Sequence, residues 1–132
     1  MTQLSVFLQN EPGTLLKVLD LLAGAEIQLY AVSIADTDEY GICRIICDKP
    51  DDAHALLVKS GYAVSKSDVR AIVIGDKPGG AAEVIRTFAR ENLSIAYLYT
   101  FLYEGNPVLV FRTDDKDKAT EIIRRNGLKS LS

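Results

Sequence analysis

Apolar residues recur along this chain in two rhythms, and each rhythm appears twice. Leu4-Ser5-Val6-Phe7-Leu8 alternates with period two, as Arg70-Ala71-Ile72-Val73-Ile74 does more loosely, so each half is predicted to open with a strand. Leu15, Val18, Leu19 and Leu22, and again Ala81, Val84, Ile85 and Phe88, follow the i, i+3, i+4, i+7 spacing of a helix with one buried face. Residues Ile27 to Asp36 and Leu93 to Leu102 are rich in β-branched and aromatic side chains. The turn-prone stretches Thr37 to Gly41 and Glu104 to Pro107 follow them, then Ile42 to Cys47 and Val108 to Thr113, which predicts two hairpins. A second helix is expected in each half, with Ala53, Leu56 and Leu57 matching Ala119, Ile122 and Ile123. Asp48 and Asp114 are its expected N-caps, Asp51 and Asp117 suit the positive end of its dipole, and Gly61 and Gly127 suit a left-handed C′ residue. Tyr62 to Val64, and more weakly Leu128 to Leu131, read as closing strands.

The two halves are therefore copies. Sliding the sequence by 66 residues aligns them without a gap and gives eight identities, which fall at structural punctuation such as Pro12-Gly13 on Pro78-Gly79 and Gly61 on Gly127. The expected domains are residues 1–66 and 67–132. Each has the order βαββαβ, whose right-handed crossovers give the α+β, ferredoxin-like split β-α-β fold. The link Ser65-Lys66-Ser67-Asp68 is too short to let the copies drift apart. A lone four-stranded sheet would leave its long second strand unpaired. The two modules are accordingly expected side by side, in one eight-stranded antiparallel sheet with helices on one face. Tyr30, Val32 and Ile34, and the run Tyr97 to Tyr103, are apolar on both sides of the pleat, which predicts a homodimer through the other face.

Composition narrows the function classes. With 48% apolar and 25% charged residues the chain can bury a core, and its net charge of -3 provides no field for nucleic acid or an anionic membrane. No apolar run approaches membrane-spanning length and Met1 to Leu8 has no basic leader, so a cytoplasmic location is expected. Cys43 and Cys47 fall in one strand, roughly 13 Å apart, too far to bridge or share a metal. They are expected to be small buried side chains. The single histidine, His54, has no Cys or Ser/Asp partner set around it, and Gly75-Asp-Lys-Pro-Gly-Gly80 lacks the terminal Lys-Ser/Thr of a phosphate loop. No catalytic residue, metal or cofactor is expected. Tyr97, Tyr99 and Phe101 could stack on RNA bases, but no Lys/Arg cluster accompanies them in an acidic chain, and packing is the better account.

The strand-to-helix loops carry the candidate chemistry. Gln9-Asn10-Glu11-Pro12-Gly13-Thr14-Leu15 and Gly75-Asp76-Lys77-Pro78-Gly79-Gly80-Ala81 each place an expected N-cap, Asn10 or Asp76, two positions before proline. Glycine lets backbone approach a ligand closely, and N–H groups at a helix start suit a carboxylate. A turn and cap with no ligand is the alternative on spacing alone. At these residues, with the Leu15-to-Leu19 helix and the Glu26-to-Leu29 strand entry, the chain resembles the ACT domain family over nearly its whole length, twice. It looks most like the stand-alone tandem ACT proteins.

The resemblance implies that a small amino acid, the expected ligand, binds where two modules meet. One site would use Asn10, Pro12, Gly13, Thr14 and Leu15 against Leu93-Ser94-Ile95. The other would use Asp76, Gly79, Gly80 and Ala81 against Ile27-Gln28-Leu29. Backbone N–H groups of Gly13 to Leu15, or Gly79 to Ala81, would take the carboxylate, and the Asn10 or Asp76 oxygen the ammonium. Asp76 for Asn10 and Lys77 for Glu11 predict unequal sites, and Gly80 for Thr14 predicts a less ordered second loop. A detached regulatory subunit acting on a catalytic partner enzyme, as in acetolactate synthase, is the alternative function.

Overall fold

The computed structural model describes residues 1–9, 11–36 and 40–131. The expected turn residues Thr37 to Glu39 and the expected ligand residue Asn10 lie outside the described residues. The chain divides into two compact units, Thr2–Asp68 and Val69–Ser132, with Met1 joining the second, where it exchanges backbone hydrogen bonds with Val69.

The first unit runs β1 (Thr2–Leu8), α1 (Thr14–Gly24), β2 (Leu29–Asp36), β3 (Gly41–Cys47), α2 (Pro50–Lys59) and β4 (Ala63–Asp68), with antiparallel sheet order β2-β3-β1-β4. Period-two alternation sends Leu4, Val6 and Leu8 to the face that also carries Cys43, Ile45 and Cys47. Val18 and Leu22 of α1 and Ala53 and Leu57 of α2 close over that face, and all of these side chains are buried. Both cysteines are unpaired core residues. The predicted link from Ser65 to Asp68 is part of β4, paired along β1 from Thr2↔Asp68 to Phe7↔Ala63.

The second unit runs β5 (Arg70–Val73), α3 (Gly80–Arg90), β6 (Tyr97–Tyr103), β7 (Asn106–Arg112) and α4 (Lys116–Arg125), with order β5-β7-β6. Its core packs Ile72, Leu109 and Phe111 under Val84 and Phe88 of α3 and Ala119 and Ile122 of α4. The Phe88 and Phe111 rings lie 4.8 Å apart, and burying each side chain stabilises the unit by about 2–3 kcal/mol. Glu104 and Gly105, both at positive φ, form the two-residue turn between β6 and β7, so Pro107 belongs to the strand, opposite Leu102.

Two expectations about the sheet need correction. The chain forms a four-stranded and a three-stranded sheet rather than one of eight strands. Leu128 to Leu131 has little β-branched content, and it contributes a single bridge, Ile72↔Ser130, in place of an eighth strand. β2 carries an irregularity between Leu29 and Ala31, a device that turns an edge away from further pairing.

The caps differ too. Asp48 does not cap α2. Its carboxylate accepts the Gln28 N–H (3.0 Å), and its own N–H donates to the Gln28 carbonyl, tying the entry of β2 to the end of β3. The N-cap of α4 is Asp115, not Asp114, and it accepts the Lys118 N–H at 3.0 Å. Gly61 and Gly127 do take the left-handed C′ role, at φ 94° and 64°.

Candidate functional site

Pro12-Gly13 and Pro78-Gly79 are turns before they are anything else. Gly13 (φ 90°, ψ -14°) and Gly79 (φ 94°, ψ -1°) have the values of the third residue of a type II turn, where glycine avoids the Cβ penalty. Thr14 N–H closes the first turn on the Glu11 carbonyl at 3.2 Å, and Gly80 N–H closes the second on Lys77 at 3.3 Å. Each glycine is then the N-cap itself, and among the described residues no side chain caps α1 or α3. The N-cap role expected of Asp76 is therefore absent, and both prolines stand outside the first helical turn.

This geometry changes which donors face outward. Thr14 and Gly80 N–H groups are spent inside their turns, so the helix-start donors left without an intrahelical acceptor are those of the next residues, Leu15 and Leu16, and Ala81 and Ala82. The Thr14 hydroxyl is also spent, donating to the carbonyls of Gln9 and Glu11, each at 2.8 Å. It braces the first loop.

The second loop is braced differently. A Cβ on Gly80 would stand 2.6 Å from the Gly75 carbonyl oxygen, so that carbonyl fills the place a side chain would need. At that point the loop leaves no room for a side chain, although residues 75–79 are exposed.

Beside this loop the second unit has a cavity of about 760 Å³. Asp76, Gly79 and Gly80 line it and Ala81 does not. Lys77 from the loop, Glu83 and Arg86 from α3, and Lys129 from the segment after α4 supply its other charges. In the first unit, Lys17, Asp20, Leu21, Ser60 and Tyr62 line a smaller groove of about 490 Å³, with none of the expected ligand residues that are described. Pro12 and Gly13 are exposed, and Thr14 and Leu15 half-buried. The two residues expected from the strand entries hold structure. Gln28 is fixed by Asp48, and the Ser94 carbonyl accepts the buried Thr113 hydroxyl at 2.8 Å. Arg86 and Lys129 were missing from the sequence-derived site, because neither stands in a loop motif. Among the described residues no cluster of three or more His, Cys, Asp or Glu could hold a metal, and no helix is long and apolar enough to cross a membrane.

Comparison with known proteins gives a consistent result. Residues 1–132 match the family model described as an ACT domain pair. A Bacteroides thetaiotaomicron protein of known crystal structure is 34% identical, with a TM-score of 0.90 over 98% of this chain and 90% of its own. The ligand-free regulatory subunit of aspartate kinase from Thermus thermophilus is 14% identical, with a TM-score of 0.64 over 94% and 91% of the two chains. Its counterpart from Thermus flavus gives 16% and 0.60, over 94% and 90%. The two Thermus subunits share the fold. No curated protein matches the chain.

Proposed function

The chain belongs to the ACT domain family as an ACT domain pair, and from that premise we propose that it is a non-catalytic regulatory protein that binds a small amino acid. The observation that carries this proposal is the cavity beside the Gly75-to-Gly80 loop. Its volume is within the range of ligand pockets, and it is lined by charges of both signs, as a zwitterion requires. The ammonium is assigned to Asp76 and the carboxylate to the cationic side chains and the Ala82 N–H in the first turn of α3.

A thermal-shift screen of the twenty amino acids tests this directly. A ligand at one hundred times its Kd adds about 2.7 kcal/mol of stability. One amino acid should raise Tm and Asp76→Ala should reduce the shift. No response to any amino acid, or an equal response to acetate, would remove the proposal.

A second reading keeps the ligand and adds a catalytic partner enzyme. The structural likeness to aspartate kinase regulatory subunits favours it. Its mark would be an enzyme that responds to the amino acid only when this chain is present. The proposal includes a homodimer, because Val32 and Ile34 on β2 and Leu98 and Leu102 on β6 are exposed on edge strands. Sedimentation at the monomer mass would argue against that part.

A further inference from the structure

The cavity of the second unit differs from the equivalent region of the first in a way that points to the class of ligand. Five charged side chains line it: Lys77, Arg86 and Lys129 against Asp76 and Glu83. Cations are in excess by one. None of the three cations has a side-chain hydrogen bond or ion pair with another described residue, so their charge is not consumed within the fold.

The first unit is an internal control. α1 and α3, and likewise α2 and α4, begin and end 66 residues apart, so equivalent positions are assigned without ambiguity. Sixty-six residues before Lys77, Arg86 and Lys129 stand Glu11, Asp20 and Ala63. Every cation of the cavity is thus replaced by an acid or by alanine. Asp76 and Glu83 correspond to Asn10 and Lys17, so the excess at these positions changes sign. The units as wholes follow the same trend: Thr2–Asp68 has five basic and ten acidic residues, and Val69–Ser132 ten basic and eight acidic. At these five charged positions the two units carry opposite excess charge on helices of matching length, as selection between ligands of different charge would leave.

We propose that the second unit's cavity takes an amino acid with an acidic side chain, and that the first unit does not. This inference rests on the amino-acid-binding function proposed above and names its ligand class. Asp76 and Glu83 face the single ammonium, and the three cations divide the two carboxylates. A neutral amide analogue of the same shape would leave one cation without its partner, and charged hydrogen bonds are the strong ones.

Calorimetry on the 132-residue chain, comparing L-glutamate with L-glutamine and L-aspartate with L-asparagine, tests this, with inorganic phosphate as a separate arm. The expected result is at least tenfold tighter binding of the acid in one of the two pairs, at one site per chain. Arg86→Asp and Lys129→Ala, which install the first unit's residues at exposed positions, should each weaken the acid at least tenfold and leave the unliganded Tm unchanged. Equal affinity for acid and amide, or acid binding unaltered by both substitutions, would overturn the inference while the amino-acid-binding proposal stood. Binding of phosphate with no amino acid bound would overturn both.

Discussion

The carbonyl oxygen of Gly75 lies 2.6 Å from where a Cβ of Gly80 would be, and in the first unit the equivalent pair, Gln9 and Thr14, is joined instead by a 2.8 Å hydrogen bond. One loop is closed by a side chain and the other by the lack of one. Gly80→Ala must push the Gly75 carbonyl outward, which alters the cavity wall. The expected cost is about 1–3 kcal/mol, read as a lower urea midpoint, together with loss of the amino-acid response. Thr14→Gly should cost about 1 kcal/mol through the lost hydroxyl bonds, with no effect on the second unit's ligand.

Glu26 and Asn92 end α1 and α3 in the left-handed region, at φ 58° and 59°, and each donates its N–H back into the last helical turn, to Ala23 and Ala89. Asparagine adopts that conformation at lower cost than glutamate does. Glu26→Gly should therefore stabilise the protein by roughly 0.5–1 kcal/mol, and Asn92→Gly by little or nothing. Urea unfolding of the two variants side by side checks the order.

Burial pushes the Cys43 thiol up from 9.0 to about 11. Cys47 is raised as well, by burial first, with the Lys49 N–H opposing it. The folded state keeps a proton that the unfolded chain releases at lower pH, so stability is intact below pH 9 and falls as pH rises toward 11. The Cys43 contribution reaches roughly 2–3 kcal/mol at the upper end. Cys43→Ala should flatten the alkaline limb of a stability-versus-pH curve relative to the parent protein. An unchanged slope would contradict this account.

What the sequence made legible follows from the range of each interaction. The helices were visible because a single buried stripe repeats within one element, as in Leu15, Val18, Leu19 and Leu22. Gly61 and Gly127 were visible because a left-handed residue is a local demand. Asp48 was misread because its choice is tertiary. It stands two residues before the start of α2, next to the N-cap position, but answers the Gln28 N–H, 20 residues away. Asp48→Ala should therefore cost about 1 kcal/mol without loss of helix content, whereas Asp115→Ala should cost about 0.5–2 kcal/mol and fray the start of α4. Circular dichroism beside urea melts separates the two. Arg86 and Lys129 escaped notice for the same reason as Asp48, since only the folded chain brings them to one cavity.

The segment after α4 meets β5 at the Ile72↔Ser130 bridge, formed by two hydrogen bonds, from Val73 N–H to the Lys129 carbonyl at 2.8 Å and from Leu131 N–H to the Ala71 carbonyl at 2.9 Å. So slight an attachment belongs to the part of a protein that opens and closes most readily. Because Lys129 also lines the cavity, a ligand gripping its ammonium fastens the segment down. Occupancy would then be readable in the backbone itself, as slower deuterium uptake at the Val73 and Leu131 amides.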